Sequence, residues 1–199
     1  LAVFFLARIL GALYFINNID DKDLVARSRR SLIGNSVLFL VFFLSFVIRT
    51  LLADGYAVNP ETGEIFMEPY KYLTNFIEMP VVLVLFLIGV VLVLFGIGKS
   101  LLKPKFDKGI WFTGIGTVLT VLALLLVAGY NNTAYYPSTS DLQSSLTLAN
   151  SCSSEFTLRV MFYVYFLVPF VLAYIFYAWR SIDIHKIDEK EMKDGGHSY

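Results

Sequence analysis

The 199-residue chain has few charged residues, one cysteine and two histidines. Charged residues make up 16% of it, against about 25% in an average soluble domain. Sixteen basic residues balance sixteen acidic ones, which excludes a nucleic-acid-binding protein that relies on bulk positive charge. The single cysteine, Cys152, excludes an intrachain disulfide framework, and the chain has no paired-cysteine or HExxH metal motif.

Apolar residues, 57% of the chain, are concentrated in five blocks. None of the blocks alternates with a period of two, which indicates helices rather than strands. Each of the last four is about 20 residues long, the length of a helix that crosses roughly 30 Å of hydrocarbon. The blocks cover residues 1–16, 32–52, 79–98, 110–130 and 156–179. We therefore predict an all-α membrane protein with five transmembrane helices.

The first and last blocks differ from the other three. The first starts at Leu1 within an apolar run, so we expect a truncated helix and a chain that forms the C-terminal part of a longer protein. The last carries Pro169 near its middle, where proline is expected to kink a helix. The expected architecture is a four-helix bundle with a truncated first helix, followed by a kinked fifth helix and a polar tail over residues 180–199.

Basic residues are concentrated on alternate connecting segments. Residues 17–31, 99–108 and the tail each hold four lysines or arginines. The other side offers Lys71, together with Arg49 and Arg159 in nearby helix ends. The positive-inside rule therefore predicts that the three basic segments, including the C-terminus, are cytoplasmic.

Four charged residues lie within or at the ends of the predicted spans: Arg8, Arg49, Glu78 and Arg159. A charge inside the bilayer costs several kcal/mol or more, so each needs a partner, an interface or water. The last three are placed at the outer ends of their helices. There they either extend to the interface or form a shared ion-pair cluster.

Two helix faces have a distinctive composition. Thr113, Gly116, Thr117 and Thr120 share one face of the fourth block, which predicts close packing against another helix. The fifth block carries an aromatic stripe with spacings of three and four residues. The aromatic stripe consists of Tyr163, Phe166, Phe170, Tyr174 and Tyr177. By its pattern alone, this stripe faces either lipid or a partner subunit.

The predicted spans lack histidine, a usual ligand of haem iron. Both histidines, His185 and His197, follow the last apolar block, so no predicted span contains a histidine. Bis-histidine haem ligation within the chain's membrane region is therefore excluded. No catalytic, cofactor-binding or metal-binding residue is assigned.

The segment 136–161 reads YPSTSDLQSSLTLANSCSSEFTLRVM and precedes a helix with Val168-Pro169. It resembles the outer loop before the last helix in subunit II of the cytochrome bd quinol oxidases, with the Pro-Ser-Thr, Ser-Leu-Thr and Ser-Ser-x-x-Thr-Leu-x-Val-Met elements in the family's order. Residues 54–58, 75–80 and the ending 197–199 are also similar to the family. The resemblance runs along nearly the whole chain.

The resemblance implies a role in a respiratory complex. Subunit II of this family has nine transmembrane helices, and the chain is similar to the last five. The family's two subunits form a heterodimer in the bacterial cytoplasmic membrane. The complex oxidises quinol and reduces dioxygen to water, and so contributes to the proton gradient.

The resemblance also implies where the cofactors lie. Haem b and haem d belong to subunit I, so this chain is expected to bind none and to catalyse nothing by itself. Some family members hold a structural quinone in subunit II, and some complexes include a small third subunit. The family's last helix lies near the subunit contact, which favours partner packing for the aromatic stripe.

Two alternative functions remain open at this stage. A membrane anchoring or assembly protein fits the composition equally well. A transporter module would need polar residues along a path at the membrane midplane. The third and fourth blocks have almost none.

Overall fold

The structure, a computed structural model, describes residues 1–182. These residues form seven α-helices, one short 3₁₀ turn at Leu142–Ser144 and one two-stranded sheet. The elements are α1 Ala2–Asn18, α2 Lys22–Leu52, β1 Gly55–Val58, β2 Ile65–Glu68, α3 Lys71–Glu78, α4 Pro80–Leu102, α5 Gly109–Gly129, α6 Glu155–Tyr165 and α7 Val168–Ile182. The first three residues of the predicted tail, 180–182, belong to α7. The rest of the tail lies outside the described residues.

Four helical stretches are long and apolar enough to cross a membrane. They are α2, α4, α5 and the stretch Glu155–Ser181, which contains α6 and most of α7. Helix α1 is a shorter apolar helix of 17 residues. The prediction of an all-α membrane protein is confirmed in part, because the described residues are mostly helical and include four candidate spans but also form a small sheet.

Helix α2 begins earlier than its apolar block. Asp21 caps it by accepting a 2.7 Å hydrogen bond from the backbone N–H of Leu24. The helix then runs through ten residues that the sequence pattern assigned to a loop. Hydropathy marks the part of a helix that suits lipid, whereas the hydrogen-bonded helix continues into water wherever its residues allow it.

Helices α1, α2, α4 and α5 pack together through two clusters of buried apolar side chains. The first cluster joins α1 to α2 and α4, and the second joins α3 to α4 and α5. The first contains Ile9, Ala12, Leu13, Ile16, Leu32, Phe39, Val93 and Ile97. The second contains Phe76, Val82, Ala123 and Val127.

Helices α4 and α5 approach each other closely along a line of small residues. A Cβ atom at Gly116 would lie 2.6 Å from the carbonyl oxygen of Gly89, and one at Gly96 would overlap the hydroxyl of Thr113. Thr113, Gly116 and Thr120 are buried and Thr117 is half-buried. The predicted packing face is therefore confirmed, because only glycine lets the two backbones come this near.

The last predicted span is interrupted near its middle. Helix α6 ends at Tyr165 and α7 begins at Val168. Pro169 has no N–H for the carbonyl of Tyr165, and its ring crowds that carbonyl, so the helical hydrogen bonds are interrupted there. The backbone N–H of Leu167 donates instead to the carbonyl of Val164, at 2.9 Å. The helix is thus interrupted beside Pro169, the position at which a kink was predicted.

A folded cap covers one end of α4 and α5. Strands β1 and β2 form an antiparallel hairpin in which Gly55 pairs with Glu68 and Val58 with Ile65. Helix α3 follows the hairpin directly. Residues 131–134 then pair with β1, because the N–H of Val58 donates to the carbonyl of Asn132 at 2.8 Å. The sequence pattern predicted only turns and polar loops in these outer segments.

Candidate functional site

No salt bridge of the described residues joins any two of the four predicted charged residues. Arg8 is exposed on α1, and its guanidinium carbon lies 5.8 Å from the ring centre of Phe4. Arg49 is exposed in the last turn of α2, where a cation interacts favourably with the negative end of the helix dipole. Arg159 pairs with Glu155 at 2.6 Å, one helical turn away, and both side chains are exposed. Among the described residues, these arginines form no shared ion-pair cluster.

Glu78, the fourth of these residues, joins a polar cluster in the cap. Its carboxylate accepts a hydrogen bond from the side-chain amide of Asn131. The same amide nitrogen donates to the side-chain oxygen of Asn75 at 3.1 Å. Glu78 is exposed at the end of α3, so its partner is a neutral amide at the surface of the cap.

Asn75 is the buried centre of this polar cluster, with 0% of its surface exposed. Its amide nitrogen donates to the backbone carbonyl of Val127 and to the hydroxyl of Thr133, both at 2.8 Å. A carbonyl in the last turn of an α-helix has no partner within the helix. Asn75 therefore satisfies a free carbonyl of α5 and joins α3 to the end of that helix.

Two consecutive asparagines end the α5 segment and start the third strand-like segment of the cap. Asn131 and Asn132 have φ angles of 57° and 52°, in the left-handed region that asparagine tolerates better than most residues. This reversal brings the N–H of Ala134 within 2.8 Å of the carbonyl of Tyr56. Helix α5 ends at Gly129, two residues before this reversal.

Lys71 has an environment that the sequence pattern does not reveal. Only 6% of it is exposed, and its ammonium group pairs with the carboxylate of Glu68 at 3.2 Å. The neighbouring Tyr72 is partly buried. Burial raises the pKa of the Tyr72 hydroxyl above its ordinary value of 10.0, and the nearby Tyr56 raises it further. A single lysine in a polar outer loop gives no sequence signal for such burial.

Gln143 is a second residue that sequence reasoning missed. Its side-chain oxygen accepts from the N–H of Ile65 at 2.9 Å, and its amide nitrogen donates to the carbonyl of Ile65 at 2.8 Å. The side chain thus pairs with β2 as a neighbouring strand would, and ties residues 136–161 to the hairpin.

The aromatic stripe of Tyr163, Phe166, Phe170, Tyr174 and Tyr177 is exposed along its whole length. In α6 and α7, every side chain from Glu155 to Tyr177 is exposed. An apolar face of this size is far larger than the patches that monomeric proteins leave open to water. The stripe therefore faces lipid or another protein chain.

An apolar groove of about 610 Å³ lies between α1 and α2 on one side and α4 and α5 on the other. Phe39, Phe43 and Leu94 are among its lining residues. Its polar side chains include Thr117 and Thr120, whose hydroxyls donate to carbonyls of their own helix at 2.7 and 2.8 Å. The groove therefore suits hydrocarbon.

Metal-binding geometry is absent from the part of the chain that the structure describes. No group of three or more histidine, cysteine, aspartate or glutamate side chains there could hold a metal ion. What the described residues do present is a set of apolar membrane-length helices, a folded polar cap and an unpartnered aromatic helix. Together these define a multi-pass helical membrane protein with exposed surfaces for lipid or a partner.

Comparisons with known proteins identify the family. The family described as cytochrome bd terminal oxidase subunit II matches residues 1–182. The curated relatives include cytochrome bd-I ubiquinol oxidase subunit 2 of Escherichia coli K12 and of Escherichia coli O157:H7, each 29% identical over 156 residues. The chain belongs to the cytochrome bd terminal oxidase subunit II family.

The chain matches only part of the length of these relatives. The matched residues are 77% of this chain and 39% of each relative. The chain thus spans about two-fifths of the length of the curated relatives it matches. Membership of the family makes the chain part of a subunit II of this integral membrane family.

Proposed function

We propose that the chain is a haem-free structural part of a bacterial quinol oxidase. In this role it packs against subunit I, which holds haem b and haem d, oxidises quinol and reduces dioxygen to water. The observation that carries the proposal is the family match over residues 1–182. The name of the matched Escherichia coli protein, a ubiquinol oxidase subunit, supports quinol as the substrate class of the complex.

The residues present do not fit a haem. A haem in a helical membrane protein is held through histidine, methionine or cysteine, with histidine the commonest choice in b-type centres. Residues 1–184 contain no histidine, Met67 and Met161 are exposed, and Met79 packs against the second apolar cluster. Cys152, the single cysteine, is exposed in the cap segment. The haems of the proposed complex are therefore assigned to the partner subunit.

The apolar groove does not fit a quinone head group either. Quinone carbonyls need hydrogen-bond donors, and the hydroxyls of Thr117 and Thr120 already donate to backbone carbonyls. The structural quinone of some family members is therefore not assigned to this groove. A small third subunit, where present, would be a further partner.

In the proposed arrangement the chain crosses the bacterial cytoplasmic membrane five times. Helix α1 serves as the first crossing, α2, α4 and α5 as the next three, and α6 with α7 as the last. The cap of β1, β2 and α3 lies outside, and the C-terminus lies in the cytoplasm. The distribution of basic residues supports this orientation.

The proposed function is tested with the tagged full-length protein, expressed in its own membrane and purified in mild detergent. We expect a second large membrane subunit to co-purify, together with haem b and haem d bands in a reduced-minus-oxidised spectrum. A colourless chain without such a partner would contradict the proposal. It would favour the two alternatives, a membrane anchoring or assembly protein and a transporter module.

A further inference from the structure

Two basic segments that are far apart in the sequence lie together at one end of the helix bundle. One is the start of α2, and the other is the connection between α4 and α5. Arg29 joins them, because its guanidinium donates to the carbonyls of Ser100, of Pro104 at 2.7 Å and of Phe106 at 3.3 Å. Ser100 lies in the last turns of α4, so Arg29 also neutralises the negative end of that helix dipole.

Two of the eight cations in these segments have partners within the protein. Arg29 has its three carbonyls, and the ammonium of Lys99 lies 4.9 and 4.5 Å from the ring centres of Phe95 and Phe106. The other six side chains are exposed. These six, which we term the basic surface, are Lys22, Arg27, Arg30, Lys103, Lys105 and Lys108.

The charge of the basic surface is not balanced locally. Over residues 20–30 and 99–108 there are eight cations and four carboxylates. The cations therefore exceed the carboxylates by four. The long, flexible side chains of lysine and arginine can therefore turn toward an external anion.

The position of the basic surface limits the kind of anion that it can bind. Lys103 follows the last residue of α4, and Lys108 immediately precedes α5, so the connection remains beside two membrane-length helices. Trp111 is exposed in the first turn of α5. Exposed tryptophan at the end of a membrane helix is typical of the head-group layer. Lys103 and Lys108 are therefore expected next to the head-group layer, with the cations of α2 on its water side.

We propose that the basic surface binds the phosphate groups of anionic phospholipids such as phosphatidylglycerol. Clusters of four to eight lysines and arginines beside membrane helices attract anionic head groups, and each cation adds to the attraction. The fold supplies the cluster by bringing two groups of cations together through Arg29. This inference does not depend on the oxidase function.

The test uses the full-length protein, purified in detergent with its bound subunits. Native mass spectrometry measures the apparent dissociation constants of phosphatidylglycerol and the neutral lipid phosphatidylcholine. One variant combines Lys103→Gln, Lys105→Gln and Lys108→Gln. Its matched control carries arginine at the same three positions and keeps the charge. Because all three side chains are exposed, both variants are expected to fold.

We expect the unmodified protein and the arginine control to bind phosphatidylglycerol about tenfold more tightly than phosphatidylcholine. The glutamine variant should lose most of this preference. Equal affinities of the two lipids for the unmodified protein would overturn the proposal. So would an undiminished preference in both the glutamine variant and a second variant with Arg27→Gln and Arg30→Gln.

A competition experiment separates a lipid head group from a free anion. Inorganic phosphate and chloride are compared at equal ionic strength. If both displace phosphatidylglycerol equally, the effect is ordinary screening and the lipid assignment stands. Selective displacement by inorganic phosphate, without a preference between the two lipids, would instead assign the basic surface to soluble phosphate.

Discussion

The buried side-chain amide of Asn75 donates a 2.8 Å hydrogen bond to the backbone carbonyl of Val127. This bond joins α3, in the outer cap, to the last turns of membrane helix α5. Through Thr133 and Asn131, the same residue connects to the segment that pairs with β1. Asn75 thus holds three parts of the cap on the helices beneath it.

Replacing Asn75 with alanine should destabilise the protein. The substitution removes both donors of the amide and leaves a buried carbonyl without a partner, at a cost of about 1–3 kcal/mol. Thermal unfolding of the purified protein in detergent measures the loss. Leu73→Ala, on the partly exposed face of α3, is the control and should have a much smaller effect. Equal effects of the two substitutions would contradict this role of Asn75.

Replacing glycine with alanine should destabilise the protein where α4 and α5 are in close contact, but not where the helix surface is open. Gly96→Ala places a methyl group against Thr113 and should cost about 1–3 kcal/mol through forced separation of the helices. Gly98→Ala and Gly114→Ala are matched controls, since a Cβ at either position has no neighbouring atom within 4 Å. They should be neutral or stabilising, because alanine favours a helix by about 1 kcal/mol over glycine.

These three variants are compared by thermal unfolding under one detergent condition. The structure ranks Gly96→Ala well below both controls in stability. If Gly98→Ala or Gly114→Ala lowers the thermal stability as much as Gly96→Ala does, the close contact between α4 and α5 at Gly96 is contradicted.

The aromatic stripe is predicted to contact subunit I. Replacing Phe166 and Phe170 together with alanine should reduce the amount of subunit I that co-purifies with the tagged protein, because a large apolar contact is lost. The control replaces Val168 and Leu172, which lie on a different face of the same span and are also exposed. If the complex survives detergent equally well in both variants, the stripe faces lipid.

Alkaline pH should weaken the cap through Tyr72. The tyrosine pKa in an unfolded chain is about 10, and burial places the folded pKa of Tyr72 higher. As the pH rises from about 10 toward the folded pKa, Tyr72 ionises in the unfolded state but stays protonated in the folded state. Ionisation therefore favours unfolding, and the stability that is fully present below pH 10 declines over this range. Tyr72→Phe removes this contribution. Unfolding free energies measured from pH 8 to pH 11 should fall less steeply in the variant than in the unmodified protein.

The proposed orientation can be tested at Cys152, which is exposed in the cap segment 131–154. If that segment lies outside, a membrane-impermeant maleimide should label Cys152 in intact spheroplasts. Cys152→Ser is the control that identifies this site. Labelling that requires disrupted membranes would place the cap in the cytoplasm and reverse the predicted topology.

The hydropathy pattern predicted the membrane helices because their formation depends mainly on local composition. Long apolar blocks favour helices in lipid wherever they occur, since every backbone polar group must be satisfied within the segment. Pro169 likewise predicted the break between α6 and α7, because the loss of its N–H is a property of one residue. The small residues around Gly116 predicted a packing face, and the structure supplied α4 as its partner.

The structure of the cap was harder to predict from the sequence. Residues 54–78 and 131–154 have the composition of loops, and their hydrogen bonds join residues more than fifty positions apart. Arg49 lies in the last turn of α2 and Glu78 is the last residue of the short helix α3, and the partners of the charged residues were not foreseen. Glu78 meets an amide rather than an arginine, and Arg159 pairs within its own helix.

By itself, the sequence determined that this protein is a helical membrane protein and, through residues 136–161, pointed to its family. Those properties reside in local composition and in the order of short motifs. Only the tertiary structure decided that Asn75 holds the cap, that Lys71 is buried beside Glu68, and that Arg29 unites two basic segments. Each of these depends on which distant backbone group lies within hydrogen-bonding or ion-pairing distance, and the packing of the helices sets that distance.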